Sequence, residues 1–265
     1  ICNLTFRSYI YVSLMLHLPP LHFSTLGWLA VIGGAFGIGL NKRGLTGLGI
    51  LPVLLFAVVF QARESTGFVL PLLIVGDICA IVTYRRVVIW KVFWTMLPPA
   101  LVGVVLGYFL MDRISGAAFA PLIGWIIIAL IALQFLRSAL GEKLDHIFAS
   151  RGFSVVMGVL TGVTTMIANA AGPVANLYFL SVGLPKWNLI GTSAWLFFVI
   201  NLCKVPFSAQ LGLTNAYSLT LALVLAPLVV TGFFMGRHIA GVMPQKIFER
   251  FLLACTAVGA LRLVW

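Results

Sequence analysis

The chain is 265 residues long, 62% hydrophobic and only 9% charged, with a mean hydropathy of +1.12; a soluble globular domain carries far more charge, so water is excluded as its main solvent. Its apolar runs are long and lack the strict alternation of barrel strands, and in lipid that leaves helices. The formal charge of +11 comes from basic residues scattered singly and in pairs between apolar runs, the loop charge of a membrane protein rather than the footprint of a nucleic-acid binder.

Residues 1–22 hold a short apolar stretch ending at Pro19-Pro20 and read equally as a signal, an interfacial helix or a first span. A first repeat is expected over 23–140, with apolar segments near 28–40, 44–60, 67–84, 91–110 and 117–136. The stretch GGAFGIGLNKRGLTGLGILP (33–52) predicts a break, since each glycine costs up to about 1 kcal/mol relative to alanine in a helix. Free backbone N–H groups there, with Lys42 and Arg43 close by, would attract an anion. The other reading is close helix packing through small residues, with the two cations in an ordinary cytoplasmic loop. Asp77 lies about ten residues into its segment, whereas the other acids lie at segment ends or in loops. A carboxylate at that depth is a proton carrier, a charge partner or a structural pair.

A linker at 141–151 leads to a second repeat at 152–265, with segments near 152–166, 173–183, 188–207, 216–236 and 248–265. Segments 28–40 and 173–183 are too short to cross a bilayer of about 30 Å as straight helices, so broken or re-entrant helices are expected. TGVTTMIANAAGPVANLYF (161–179) carries Thr164, Thr165, Asn169 and Asn176 around Gly172-Pro173. Proline removes a donor and frees a carbonyl inside the membrane, and a break lined by amide, hydroxyl and main-chain donors suits a small oxyanion. Interhelical hydrogen bonding by the same residues is the structural alternative. Gly191-Thr192-Ser193 opens segment 188–207, either as an anion seat at a helix N-terminus or as a simple cap. Asn201 precedes Lys204 by one turn, and an Asp77–Lys204 pair across the halves is expected, unless Lys204 snorkels to the interface.

The halves align without a gap at a shift of 124 residues, bringing Gly34 onto Gly158, Gly67 onto Gly191, Asp77 onto Asn201 and Arg113 onto Arg237. Each half has an odd number of segments, so halves sharing a fold are inverted in the membrane. Charge agrees: with Arg85, Arg86 and Lys91 inside, only Arg7, Arg63, Arg113, Lys204 and Arg262 fall outside or in a span. Inverted repeats with short, glycine-interrupted segments at matching positions mark secondary transporters with a midplane site. Trp28, Tyr84, Trp90, Trp125, Trp187 and Trp265 read as interface anchors. Cys2, Cys79, Cys203 and Cys255 lack metal-ligand spacing and read as packing residues. His17, His22, His146 and His238 are dispersed, and no G-x-x-x-x-G-K-[ST], HExxH or GxSxG pattern occurs. Neither ATP-driven transport by this chain alone nor an enzyme is expected.

GVLTGVTTMIANAAGPV (158–174) and GLPKWNLIGTSAWLFFVINLCKVP (183–206) resemble the sulfite exporter TauE/SafE family of membrane anion transporters. The first half adds GIG (37–39), Pro52, ARESTG (62–67) and YRR (84–86), so the resemblance spans roughly residues 27–265. It implies export of sulfite, sulfoacetate or related anions, mostly out of the cytoplasm. Where that family usually has a compact GxGGG block leading to proline, this chain has Lys42 and Arg43, and Phe68 and Val69 stand opposite Thr192 and Ser193.

The combined expectation is an all-α membrane protein with about eight to ten transmembrane segments in two inverted repeats with broken or re-entrant helices. It would sit in the cell (inner) membrane and bind a small anion through Asn169, Gly172, Asn176, Thr192, Ser193, Asn201, Lys204, Lys42 and Arg43. Asp77 and Lys204 would form a coupling or charge pair, with proton or potential drive. Cofactors, metals and nucleic acid are not expected, and a homo-oligomer is compatible with the sequence. The same residues permit an anion channel or a carrier of non-sulfur organic anions.

Overall fold

The structure is a computed structural model that describes residues 24–44, 49–114, 116–140 and 151–242. The ambiguous stretch 1–22, the linker 141–150 and the segment 248–265 lie outside the described residues, as do Cys2, His17, His22, His146, Cys255 and Trp265. So does the side chain of His238.

The described chain is helical throughout. α1 spans Thr25–Lys42, α2 Leu51–Val59, α3 Ala62–Tyr84, α4 Trp90–Arg113 and α5 Gly116–Leu140. α6 spans Arg151–Ala168, α7 Gly172–Ser181, α8 Lys186–Gln210 and α9 Ala216–Val242. Local chemistry sets several boundaries. Ser24 Oγ accepts the Gly27 N–H at 3.2 Å and opens α1. Asn215 and Ser218 exchange side chain and backbone bonds at 2.9 Å, a reciprocal cap that opens α9. Pro52 and Pro173 stand in the first turns of α2 and α7, where a missing N–H costs nothing.

α3, α4, α8 and the 216–236 part of α9 are each long and apolar enough to cross a bilayer. Their outward positions, among them Val82, Trp94, Leu106, Leu223 and Phe234, are exposed hydrophobic side chains, which lipid and not water would cover. The chain is therefore a multi-pass membrane protein. α2 and α7, of 9 and 10 residues, reach only about 14–15 Å at 1.5 Å per residue and cannot span.

Two expectations about the first half change. Segment 28–40 is an unbroken 18-residue helix, and 44–60 contributes only the short α2. Gly34, Gly37 and Gly39 of α1 serve close packing: a Cβ on Gly39 would run into the Val229 carbonyl, just as one on Gly232 of α9 would run into that of Phe36. The break falls later, where Gly44 takes a left-handed φ of +115.

Packing interlocks the halves. α1 lies along α9, α4 lies along α6, and α3 crosses α8 between them. At the α4–α6 crossing Gly162 meets the Ala100 carbonyl with no room for a Cβ. One core gathers residues such as Val31, Phe56, Leu72 and Val229 from α1, α2, α3 and α9. The larger one gathers Met96, Phe119, Met166, Phe179 and Leu196 from α4, α5, α6, α7 and α8.

Candidate functional site

The interruptions after α1 and α6 come together beside the α3–α8 crossing. A cavity of about 50 Å³ lies there, lined by Asn41 and Lys42 at the end of α1, Gly44, Ala80 of α3, Gly172 and Asn176 of α7, and Ile190, Ser193, Ala194 and Phe197 of α8. One water needs about 10–15 Å³ on this measure, so the cavity takes a handful of heavy atoms.

Its polar lining favours negative charge. Lys42 brings an ammonium that also lies 5.0 Å from the centre of the Phe197 ring. α7 begins at Gly172 with no side-chain cap, so main-chain N–H groups and the positive end of the helix face this region. Asn41 and Asn176 add amides. Ser193 Oγ donates back to the Ile190 carbonyl at 3.0 Å, leaving its lone pairs toward the cavity unless it rotates. Among the described residues that line it there is no carboxylate.

Behind the cavity lies a second polar layer. Lys42 Nζ pairs with Asp77 Oδ1 at 2.5 Å, and Asn201 Nδ2 donates to Asp77 Oδ2 at 2.8 Å. The residues that align at a shift of 124 thus touch each other. Lys204 Nζ donates to the Thr165 carbonyl at 2.6 Å and Asn169 Oδ1 at 2.5 Å, with Thr165 Oγ1 at 3.2 Å. Asn169 Nδ2 donates to the Thr66 carbonyl at 2.9 Å. Asn169 has a φ of 51, a left-handed conformation that asparagine tolerates better than most residues. Asp77, Asn201 and Lys204 are all at most 2% exposed.

Lys42, Gly172, Asn176 and Ser193 therefore meet at one cavity as the sequence suggested. The other expected contacts are placed differently. Arg43 stacks on Phe233, 4.8 Å from its ring centre, and on Tyr84 at 5.8 Å, fastening the end of α1 to its neighbours. Thr192 Oγ1 accepts the Ile89 N–H at 2.9 Å and ties the start of α4 to α8. Asn169, Asn201 and Lys204 sit in the layer behind. The direct Asp77–Lys204 pair is replaced by Lys42–Asp77, because Lys42 at the end of α1 reaches Asp77 while Lys204 turns to the Thr165 carbonyl and the Asn169 side chain at the end of α6. Asn41 and Phe197 were not anticipated. Asn41 had a signal, since it aligns with Thr165 at the shift of 124 residues. Phe197 had none in an apolar helix. Among the described residues no three His, Cys, Asp or Glu side chains converge as a metal site would require.

The described helices thus form a polytopic membrane bundle whose interruptions enclose a small, cationic, donor-rich cavity. A family model described as "Sulfite exporter TauE/SafE" matches residues 23–263, nearly the whole chain, and the protein belongs to that family. Membrane transport of sulfite-like anions follows from that membership. No curated protein and no solved structure matches the chain.

Proposed function

We propose that this protein is a secondary transporter of the cell (inner) membrane that exports small sulfur-containing anions, with sulfite as first substrate and organosulfonates such as sulfoacetate as larger relatives. The single observation that carries this reading is the cavity itself, with an ammonium, an uncapped helix N-terminus and amides but no carboxylate among the described lining residues. At about 50 Å³ it suits an anion of four heavy atoms better than one of eight. Access alternates between two inverted repeats, driven by proton or potential gradients. The interlocked pairs α1–α9 and α4–α6 about the α3–α8 crossing support a duplicated frame. The order long, short, long, long in α1–α4 and again in α6–α9 supports it too.

The test is thermal stabilisation of the purified protein by sulfite, sulfoacetate, taurine, sulfate and acetate, followed by uptake into proteoliposomes. Sulfite is expected to stabilise most and to show saturable uptake. A flat panel, or uptake that rises linearly without saturation, would count against a sulfite carrier.

A further inference from the structure

Lys42 has two partners to serve. It is the cation lining the cavity among the described residues, and it is also the ion-pair partner of Asp77. Asp77 has no exposure, does not line the cavity, and is otherwise held by the neutral amide of Asn201. An anion that draws Lys42 into the cavity strips a fully buried carboxylate of its counter-charge, which is strongly unfavourable unless another charge takes over.

Two observations identify the replacement. Asn201 Oδ1 is buried without a hydrogen-bond partner, although the nitrogen of the same amide binds Asp77. A buried orphan acceptor of this kind requires a reason. Lys204 stands one turn further along the same face of α8 and is itself buried. At present its ammonium is spent on Thr165 and Asn169, the last turn of α6 and the left-handed residue that follows. Lys204 thereby pins the α6–α7 turn to α8.

We infer that Lys204 is a two-position latch: when an anion takes Lys42, Lys204 leaves Thr165 and Asn169, bonds Asn201 Oδ1, neutralises Asp77 and frees the α6–α7 turn. One cation replaces another at Asp77. The turn that is freed leads into α7, which brings Gly172 and Asn176 to the cavity, so occupancy of the site is converted into movement of its wall. The trigger rests on the anion-transport reading above, whereas the exchange of lysines is a property of these side chains alone.

Hydrogen exchange of the full chain in detergent, followed in peptides covering residues 165–176, tests both. The Asn169 and Ala175 amides are bonded to Thr165 and Ala171 carbonyls and report the turn. Lys42→Met withdraws the first lysine permanently, and without any anion exchange there should quicken at least about tenfold, the loss of charge-assisted bonds. Lys42→Met with Asp77→Asn removes the carboxylate that attracts Lys204 and should return exchange to the wild-type rate. An unchanged rate in Lys42→Met, or a double variant as fast as the single one, overturns the latch. Should Lys42→Met not fold, sulfite is added to wild type and to Asp77→Asn: quickening in wild type alone supports the latch, and equal quickening in both overturns it. A fast Lys42→Met turn beside a wild type indifferent to sulfite supports the latch and sinks sulfite as its trigger.

Discussion

The chain interrupts its helices at two matching places, after α1 and after α6, and the two interruptions are chemically opposite. The first ends in cations: Lys42 reaches Asp77 and the cavity, Arg43 grips two aromatic rings, and Gly44 turns the chain away. The second is uncharged. Asn169 bends the backbone and is locked from both sides by Thr66 and Lys204, and the uncapped start of α7 follows. On the proposed reading of a duplicated frame, the two breaks make one cavity together, the first supplying charge and the second shape and main-chain donors.

Removing the charge should have the largest effect. Lys42→Ala is expected to weaken sulfite binding by about 30-fold or more, the cost of losing a charged contact in a desolvated site. It should also lower the melting temperature, because Lys204 must give up Thr165 and Asn169 to neutralise Asp77. Adding Asp77→Asn should restore the melting temperature and leave binding weak. Retained binding in Lys42→Ala would move the site away from the first break.

Disturbing the shape should come next. Asn169→Ala loses the bonds to Thr66 and Lys204 and keeps the left-handed backbone, for about 2–4 kcal/mol of stability in thermal or denaturant unfolding. Asn169→Gly relieves only the backbone part and should recover about 1 kcal/mol. Equal stability of the two variants would mean that backbone strain contributes nothing here.

A smaller effect separates binding from folding. A Cβ on Gly172 meets nothing within 4 Å, unlike one on Gly39. Gly172→Ala should therefore unfold like wild type while its methyl intrudes on the cavity and weakens sulfite binding about three- to tenfold. Gly39→Ala should do the reverse, costing about 1–3 kcal/mol of stability through overpacking against α9. Transport by Gly172→Ala with unaltered affinity would place the anion elsewhere.

Much of this was legible because membrane helices announce themselves by continuous apolar length, and the short α7 and the second break followed from Gly172-Pro173. The glycines of α1 misled for a physical reason. A glycine lowers helix propensity wherever it stands, and only the neighbouring helix decides whether the missing side chain means a break or a close crossing; α9 supplies that answer at Gly39. Which lysine Asp77 takes was equally hidden, since nothing in the sequence around Lys204 reveals the Thr165 carbonyl and the Asn169 side chain that it meets. The alignment of Asp77 with Asn201 did carry over into a real contact, as two mid-helix residues at an α3–α8 crossing would.

Thr192 and Ser193 provide the finest distinction, because adjacent residues on a helix point about 100° apart. Thr192 is wholly buried and accepts the Ile89 N–H, while Ser193 lines the cavity. Thr192→Val should leave the Ile89 donor unsatisfied and cost about 1–3 kcal/mol of stability, with sulfite affinity unchanged. Ser193→Ala should leave stability nearly unchanged and weaken sulfite binding about threefold, the neutral hydrogen bond its hydroxyl gives the anion on turning from the Ile190 carbonyl. Paired melting curves and sulfite titrations of the two variants decide it. The opposite pattern, with affinity following Thr192, would turn the α8 hydroxyls by a residue and put the anion between α8 and the start of α4.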